Sequence, residues 1–472
     1  MLTLLVAILW ALSILSAGHA LLTKRDPRAA LGWIVTCLAL PGLGALFYWL
    51  LGVNRIRTRA RELQEQGEGM HWLHVNVPPT AQDVACYPSD DTSCALITLS
   101  DSVTRRPLVS GNQVDILHNG EQVYPAMLDA IRAARESIFL SSYIFAPDSL
   151  GMQFVRELIA AANRGVDVRV LIDAFGELYS RGRVRRLLRG TKVKVISFLP
   201  PHLLHSFYFN LRNHRKLLVV DNCVSFTGGI NIRERHLVEA AQDSIRVIDI
   251  HFRLQGPVCE QLRDAFMEDW HYATKEKRIP REWPRPQTVG NACCRGISAG
   301  PNEPHEKLNW IIIGALACAK SHIRIMTPYF IPSRAQLAAI SVAALRGVRV
   351  DIILPVQNNL PFVGWAANAY LFEVLEHDAR VYFHPPPFVH SKLLLIDDKY
   401  ALIGSANIDP RSLRLNFEFN VEVFDQPTVA DLCDHFDRSR ERSRQVTLQE
   451  VDSRPLVARL RDSFFKLFSP YL

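Results

Sequence analysis

The pattern of apolar and charged positions divides the chain near residue 54. Met1 to Thr23 contains no Asp, Glu, Lys or Arg, and neither does Ala29 to Asn54. Each run exceeds the roughly 20 residues that cross a hydrocarbon core, so two membrane-spanning helices are predicted over residues 1–54. The run Lys24-Arg25-Asp26-Pro27-Arg28 between them reads as a hairpin loop. Trp33, Tyr48 and Trp49 lie near the ends of the second run, where aromatic rings favour the membrane interface. A cleaved signal peptide ending at Gly18-His19-Ala20 is the competing reading of the first run, but no basic segment precedes it. Lys24, Arg25 and Arg28 in the loop face four arginines after the second run (Arg55, Arg57, Arg59, Arg61), which leans towards a cytoplasmic body.

Beyond residue 54 the pattern changes to helix–strand alternation, and it repeats. Ala130 to Asp173 and Ala315 to Pro355 both run through an Ala-rich amphipathic helix, a β-rich strand ending at Tyr143 or Tyr329, a second helix, and Arg-Gly-Val leading into a strand. Glycine just after a helix is a common stop, which suits Gly165 and Gly347. The alternation implies an α/β layer structure, duplicated. Lys275 to Gly300, rich in charge and proline, reads as a linker. The expected organisation is two helices (1–54), a membrane-proximal adaptor (55–110), a first lobe (111–274), the linker (275–300) and a second lobe (301–472).

Composition narrows the class. A chain of 472 residues with 48 % hydrophobic positions is neither disordered nor a small disulfide scaffold, and nine cysteines without a CxxC pair write no zinc ribbon or redox motif. The formal charge of +7 suits phosphate-bearing partners, lipid or nucleic acid, without choosing between them.

Each repeat then delivers one chemical phrase. The first is His214-Arg215-Lys216, an apolar quartet and Asp221, followed by Gly228-Gly229 and Asn231. The second is His390-Ser391-Lys392, an apolar quartet and Asp397, followed by Gly404-Ser405 and Asn407. The quartet reads as a buried strand, so His and Lys, two apart, project from one face. Small residues allow close approach of backbone to a ligand. These residue types suit phosphodiester chemistry without a metal or cofactor. A neutral imidazole attacks phosphorus, and a second, protonated one donates to the leaving alkoxide. Two ammonium groups and two amides, with Gly229 and Ser405 beside them, hold the non-bridging oxygens. The catalytic set expected is His214, Lys216, Asp221, His390, Lys392 and Asp397, with the two Asp bracing more than transferring protons. Substrate contacts are expected from Gly229, Asn231, Ser405 and Asn407.

This doubled phrase resembles the signature of the phospholipase D superfamily. Leu40-Pro41-Gly42-Leu43-Gly44, Tyr48 to Gly52, Asn210 to Lys216, Thr327 to Pro332 and Asn407 to Ser412 are similar to bacterial cardiolipin synthases over nearly the whole chain, Tyr87 to Leu108 least. The resemblance implies two α/β/α lobes with a pseudo-two-fold axis and one shared site. It implies transfer of a phosphatidyl group between two phosphatidylglycerols, releasing glycerol, through a phosphatidyl-histidine for which His214 is the expected nucleophile. It further implies that Asp249, 35 residues after His214, and Glu418, 28 after His390, each fix the tautomer of a site histidine. By the same resemblance the protein is a multi-pass protein of the bacterial cytoplasmic membrane, acting on membrane phospholipids and not on nucleic acid. Hydrolysis, or phosphatidylethanolamine as co-substrate, stays open.

Three apolar stretches suggest further membrane contact: Leu199 to Phe209, Leu360 to Trp365, and the helical run from Leu456 to Phe468. Core packing is the competing reading, favoured for the last. His202 and His205 lack the companions of a metal site.

Overall fold

The computed structural model describes residues 2–24, 27–52, 87–104, 106–180, 183–199, 211–239, 246–276, 283, 285–301 and 306–471. Most of the expected adaptor, the four arginines after the second apolar run, and residues 200–210 with His202 and His205 lie outside them. The chain forms two compact units, Met1–Gln66 and Gly67–Leu472.

In the first unit, Leu2–Thr23 is one continuous helix and the only described one long and apolar enough to cross a membrane. The second apolar run, expected as a single span, is broken. Its helix Pro27–Ala39 stops before Pro41, which lacks an N–H, and Gly42, which takes φ 81°. A short helix, Leu43–Phe47, and a π-turn, Tyr48–Gly52, follow. The break lets the chain fold back on the first helix, where small and polar residues receive it. Ser13 Oγ accepts from the Gly42 N–H at 2.9 Å, Ser16 Oγ accepts from the Trp49 indole at 2.9 Å, and His19 meets the Tyr48 hydroxyl at 2.6 Å. Those polar residues, invisible as a pattern in a charge-free run, decide the packing.

The second unit is built on one long sheet. Its first half runs β4 (Lys194–Phe198), β3 (Asp167–Asp173), β2 (Ser137–Ser142), β6 (Leu217–Val220), β7 (Val224–Gly228), β9 (Ile250–Gln255) and β1 (Val109–His118). Its second half starts at β10 (Ala292–Ala299) and continues β17 (Asn416–Phe424), β16 (Tyr400–Gly404), β15 (Leu393–Ile396), β11 (His322–Met326), β12 (Arg349–Pro355) and β13 (Arg380–His384), with β18 (Arg444–Val446) at the edge. Apart from β18, which pairs antiparallel with β13 and has no counterpart, the halves correspond strand for strand: β2, β3 and β4, like β11, β12 and β13, run parallel, and the strands inward of them antiparallel. They meet where β1 pairs antiparallel with β10, so the pseudo-two-fold axis passes through that pair.

Burial on both faces explains the strand sequences. All four residues of β6 and of β15 are buried, because helices cover each side of the sheet. Helices Asn119–Ala133 and Ser149–Asn163 cover the outer face of one lobe, and Lys307–Cys318 and Arg334–Leu345 that of the other. The opposite face is a single core shared by both lobes: Phe139, Phe252 and Phe266 from the first join Phe417, Phe419 and Phe436 from the second. Two expected segments have other places. Asp91–Thr104, within the expected adaptor, is a helix packed into the second lobe through Leu96 and Ile97, with Ser100 donating to Glu422 at 2.7 Å. Ala292–Ala299, within the expected linker, is the innermost strand of that lobe.

Candidate active site

Just before each motif the chain crosses to the other lobe. β5 (Arg212–Asn213) pairs parallel with the start of β17, and β14 (Phe388–Val389) pairs parallel with β8 (Val247–Ile248), which leads into β9. The His214 N–H donates to the Phe417 carbonyl at 2.9 Å, and the His390 N–H to the Ile248 carbonyl at 2.8 Å. The next residue along each receiving strand is an acid. His214 Nδ1 lies 3.0 Å from both Glu418 carboxylate oxygens, and His390 Nδ1 lies 2.7 Å from Asp249 Oδ2. Each histidine is thus oriented by the opposite lobe's carboxylate. A proton on Nδ1, donated to an acid, leaves Nε2 of His214 as the atom available for chemistry; Nε2 of His390 lies 3.2 Å from Lys392 Nζ, which is also 3.0 Å from its Nδ1. The rings reach solvent only narrowly, with side chains 12 % and 10 % exposed.

The two acids sit in different fields. Burial pushes the Glu418 carboxyl up, but His214, Lys216 and the Ser405 hydroxyl outweigh it and hold the group below its ordinary value. Burial also pushes Asp249 up, and there Lys392 and His236 do not reverse it. Burial holds His214 below the ordinary imidazole value, with Glu418 pulling the other way. His390 is pushed well below, first by burial and then by Lys392, Lys216 and His214. That cross-lobe repulsion makes the two motifs one electrostatic unit. Burial likewise brings Lys216 down to about 7 and Lys392 to about 8. Their Nζ atoms donate to the carbonyls of His214 and His390.

The remaining expected residues divide. Asn231 and Asn407 are buried nearby: Asn231 Oδ1 accepts from the Ile144 N–H at 3.1 Å, and its own N–H faces His236, whose ring centroid is 6.4 Å from that of His390. Gly229 is required by close approach, since a Cβ there would lie 2.3 Å from Asp249 Oδ2. Ser405, expected on the substrate, is fully buried and donates to Glu418 Oε2 at 2.6 Å, so its work is to hold the acid. The motif aspartates brace, at a place set by the strands. Asp221 accepts the N–H groups of Arg135, Glu136 and Ser137 at 2.8 Å, at the start of β2. Asp397 accepts those of Lys320, Ser321 and His322 at 2.7–2.9 Å, at the start of β11. Four apolar residues of strand separate each Asp from its Lys, so the aspartates brace the far end of the hairpin and do not touch the histidines.

Asp397→Ala is therefore expected to lower stability by about 1–3 kcal/mol, because three N–H groups at the start of β11 lose a charged acceptor. Turnover per folded molecule should stay within a few-fold. Thermal melting combined with kcat normalised to folded protein checks this; a collapse of kcat without a lower melting temperature would return Asp397 to the chemistry.

Spacing gave no sign of the second support. Arg215, the middle residue of the first motif, is completely buried. It donates to the Glu418 carbonyl at 3.1 Å and to Asp269 at 2.9 Å, while the Asn213 amide takes the other Asp269 oxygen at 2.8 Å. The Asn416 amide donates to Glu418 at 3.0 Å. Among the described residues no cluster of three or more His, Cys, Asp or Glu is arranged to hold a metal ion.

A duplicated sheet with two His–Lys pairs converging from opposite lobes, each imidazole backed by the other lobe's acid, defines an enzyme of the phospholipase D superfamily. The comparisons agree and go further. Residues 127–270 and 312–440 match the family described as cardiolipin synthase, PLD-like domain, and residues 6–52 match the phospholipase D-nuclease N-terminal family. Cardiolipin synthase A of Pseudomonas putida strain F1 is 31 % identical over 99 % of this chain and 98 % of its own. The major cardiolipin synthase ClsA of Bacillus subtilis is 32 % identical over 95 % of each chain. A crystal structure of phosphatidylserine synthase from Haemophilus influenzae shares the fold, with TM-score 0.61 and 17 % identity over 81 % of this chain and all of that one. The chain belongs to the bacterial cardiolipin synthases of the phospholipase D superfamily, and so to the phosphatidyltransferases.

Proposed function

We propose that this chain joins two phosphatidylglycerols into cardiolipin and glycerol through a phosphatidyl-histidine on His214. The cross-lobe pairing of two histidines with two acids, in a chain aligned end to end with cardiolipin synthases, carries the reading. His214 Nε2 attacks the phosphorus of the first lipid. The bond from phosphorus to the glycerol headgroup breaks, and His390 Nε2–H protonates the departing alkoxide. His390 then takes the proton from a headgroup hydroxyl of the second lipid, whose oxygen attacks phosphorus and expels His214. Two phosphatidylglycerols thus balance one cardiolipin and one glycerol.

His214 suits the covalent role because its ring becomes cationic on bonding phosphorus, and Glu418, held ionised, lies against it. His390, which burial and the two motif lysines make reluctant to keep a proton, suits the acid once an anionic phosphodiester has entered. Lys216 and Lys392 balance charge on the non-bridging oxygens. The N-terminal helical hairpin anchors the chain in the cytoplasmic membrane, both arms within the bilayer and the lobes on the cytoplasmic side.

Purified protein in vesicles of defined lipids, with cardiolipin, phosphatidic acid, glycerol and ethanolamine quantified, tests the reading. Cardiolipin and glycerol should appear in equal amounts from phosphatidylglycerol alone. Phosphatidic acid as main product would make the enzyme a hydrolase, and ethanolamine release would make phosphatidylethanolamine the second substrate. The lysines add a pH signature. Their ammonium forms are lost as pH rises through about 7 and about 8, so kcat/KM should fall above that range. The kcat profile should hold to higher pH, because bound phosphodiester favours the charged lysines. A kcat/KM flat from about pH 6 to about pH 9 would remove the lysines from the mechanism.

A further inference from the structure

The C-terminal helix Leu456–Lys466 is mounted with its apolar side outward. Leu456, Val457, Leu460, Phe464 and Leu467 fall one to four residues apart along one stripe and are 69, 79, 61, 55 and 74 % exposed, with Phe468 continuing it. The sole buried residue of the helix is Asp462, which binds Arg454 at 2.7 Å and Arg461 at 2.8 Å. The other contacts on that side are largely polar or cationic: Lys466 pairs with Glu373 at 2.8 Å and lies over the Tyr370 ring, and Arg461 lies over Trp365. Phe465 alone packs inward, on Trp365 and Phe362. An amphipathic helix on a globular protein normally buries its apolar stripe. Here the Lys466–Glu373 pair, the Arg454 and Lys466 bonds to the carbonyls of Asn368 and Ala369, and Phe465 hold the polar side to the protein, and the stripe is left for something else. Sequence reading, which favoured core packing, had the amphipathicity right and the direction reversed.

We propose that Leu456–Phe468 is an in-plane membrane helix that seats the second lobe on an anionic bilayer. This deepens the reading of the chain as an enzyme of membrane phospholipids and rests on it. Charge selects the partner. From Arg454 to Phe468 there are four basic residues (Arg454, Arg459, Arg461, Lys466) against Asp462 and the Glu373 that pairs with Lys466, so the patch keeps a net positive charge, with Arg459 exposed. A second copy docking through the same face would set like charges against each other, whereas anionic headgroups complement them. Position agrees. The helix packs on Pro361–Asn368, and the neighbouring Ile331 N–H donates to the Ile408 carbonyl at 2.8 Å, one residue from Asn407 of the site.

The test uses the full chain in nanodiscs of phosphatidylcholine and phosphatidylglycerol, comparing wild type with Leu460→Glu/Phe464→Glu. Amide exchange in 456–468 should be at least tenfold faster in the variant. The apparent KM for phosphatidylglycerol in the disc should rise at least tenfold, with kcat and turnover of a monomeric short-chain phosphatidylglycerol within twofold of wild type. Equal exchange rates, or equal loss on disc and monomeric substrates, would overturn the proposal. So would two chains per disc in wild type falling to one in the variant, which would assign the face to a second copy. If wild type turns over neither substrate, the functional reading fails, while the exchange comparison still decides the helix.

Discussion

His214→Ala and His390→Ala are each expected to lower cardiolipin formation by at least about a thousandfold, and the double variant to be scarcely worse. Two independent lobes would leave roughly half the activity in either single variant. The structure argues for one unit: each histidine hangs on the other lobe's strand by its backbone and on the other lobe's acid by its ring. The variants should also separate the roles. His214→Ala has no atom to hold the phosphatidyl group. His390→Ala can still be loaded slowly from a donor with a leaving group that needs no protonation, such as a nitrophenyl ester, and then stalls. Mass spectrometry of the trapped enzyme reads this directly. An adduct on His390 in the His214→Ala protein would exchange the two assignments, and half activity in a single variant would end the one-site model.

Glu418→Gln and Asp249→Asn are expected to cost about 10²- to 10⁴-fold in kcat with KM nearly unchanged, because an amide acceptor no longer fixes the Nδ1–H tautomer or supports a cationic ring. Glu418 should be the more sensitive. It accepts from His214, Ser405 and Asn416 together and faces the proposed covalent intermediate, and its charge is the one held below the ordinary range. Melting curves distinguish this from unfolding, as does the adduct assay: Glu418→Gln should form less phosphatidyl-enzyme, and Asp249→Asn should form it but transfer slowly. A Glu418→Gln enzyme with wild-type kcat would leave the carboxylate a purely structural role.

The electrostatic contrast between the acids could not be read from spacing. Asp249 and Glu418 stand 35 and 28 residues after the histidines of their own motifs, and that spacing does not say which histidine each serves. In the fold they are exchanged, because the two-residue strands before His214 and His390 add to the partner lobe's sheet. Gly229 and Ser405 occupy equivalent places yet act differently: glycine makes room for Asp249, and serine donates to the longer Glu418. Arg215, inside the motif itself, ties the first lobe in the fold to the second lobe's acid.

What the sequence determined by itself was whatever short-range pattern encodes. Alternation of helix and strand, duplicated phrases and their His–Lys spacing are local, and they identified the α/β repeat, the two motifs and the superfamily chemistry. The first apolar run was equally legible: the charge-free stretch from Met1 to Thr23 is the helix Leu2–Thr23. Tertiary structure decided everything that depends on which surfaces meet. It interrupted the second apolar run at Pro41 and Gly42 against Ser13 and Ser16, seated the bracing motif aspartates on the amides starting β2 and β11, and crossed the acids between lobes. It also turned the C-terminal stripe outward. Periodicity records that a helix has an apolar side, but the direction of that side is set by long-range ion pairs such as Lys466–Glu373, between residues 93 apart in the chain, which no local pattern contains.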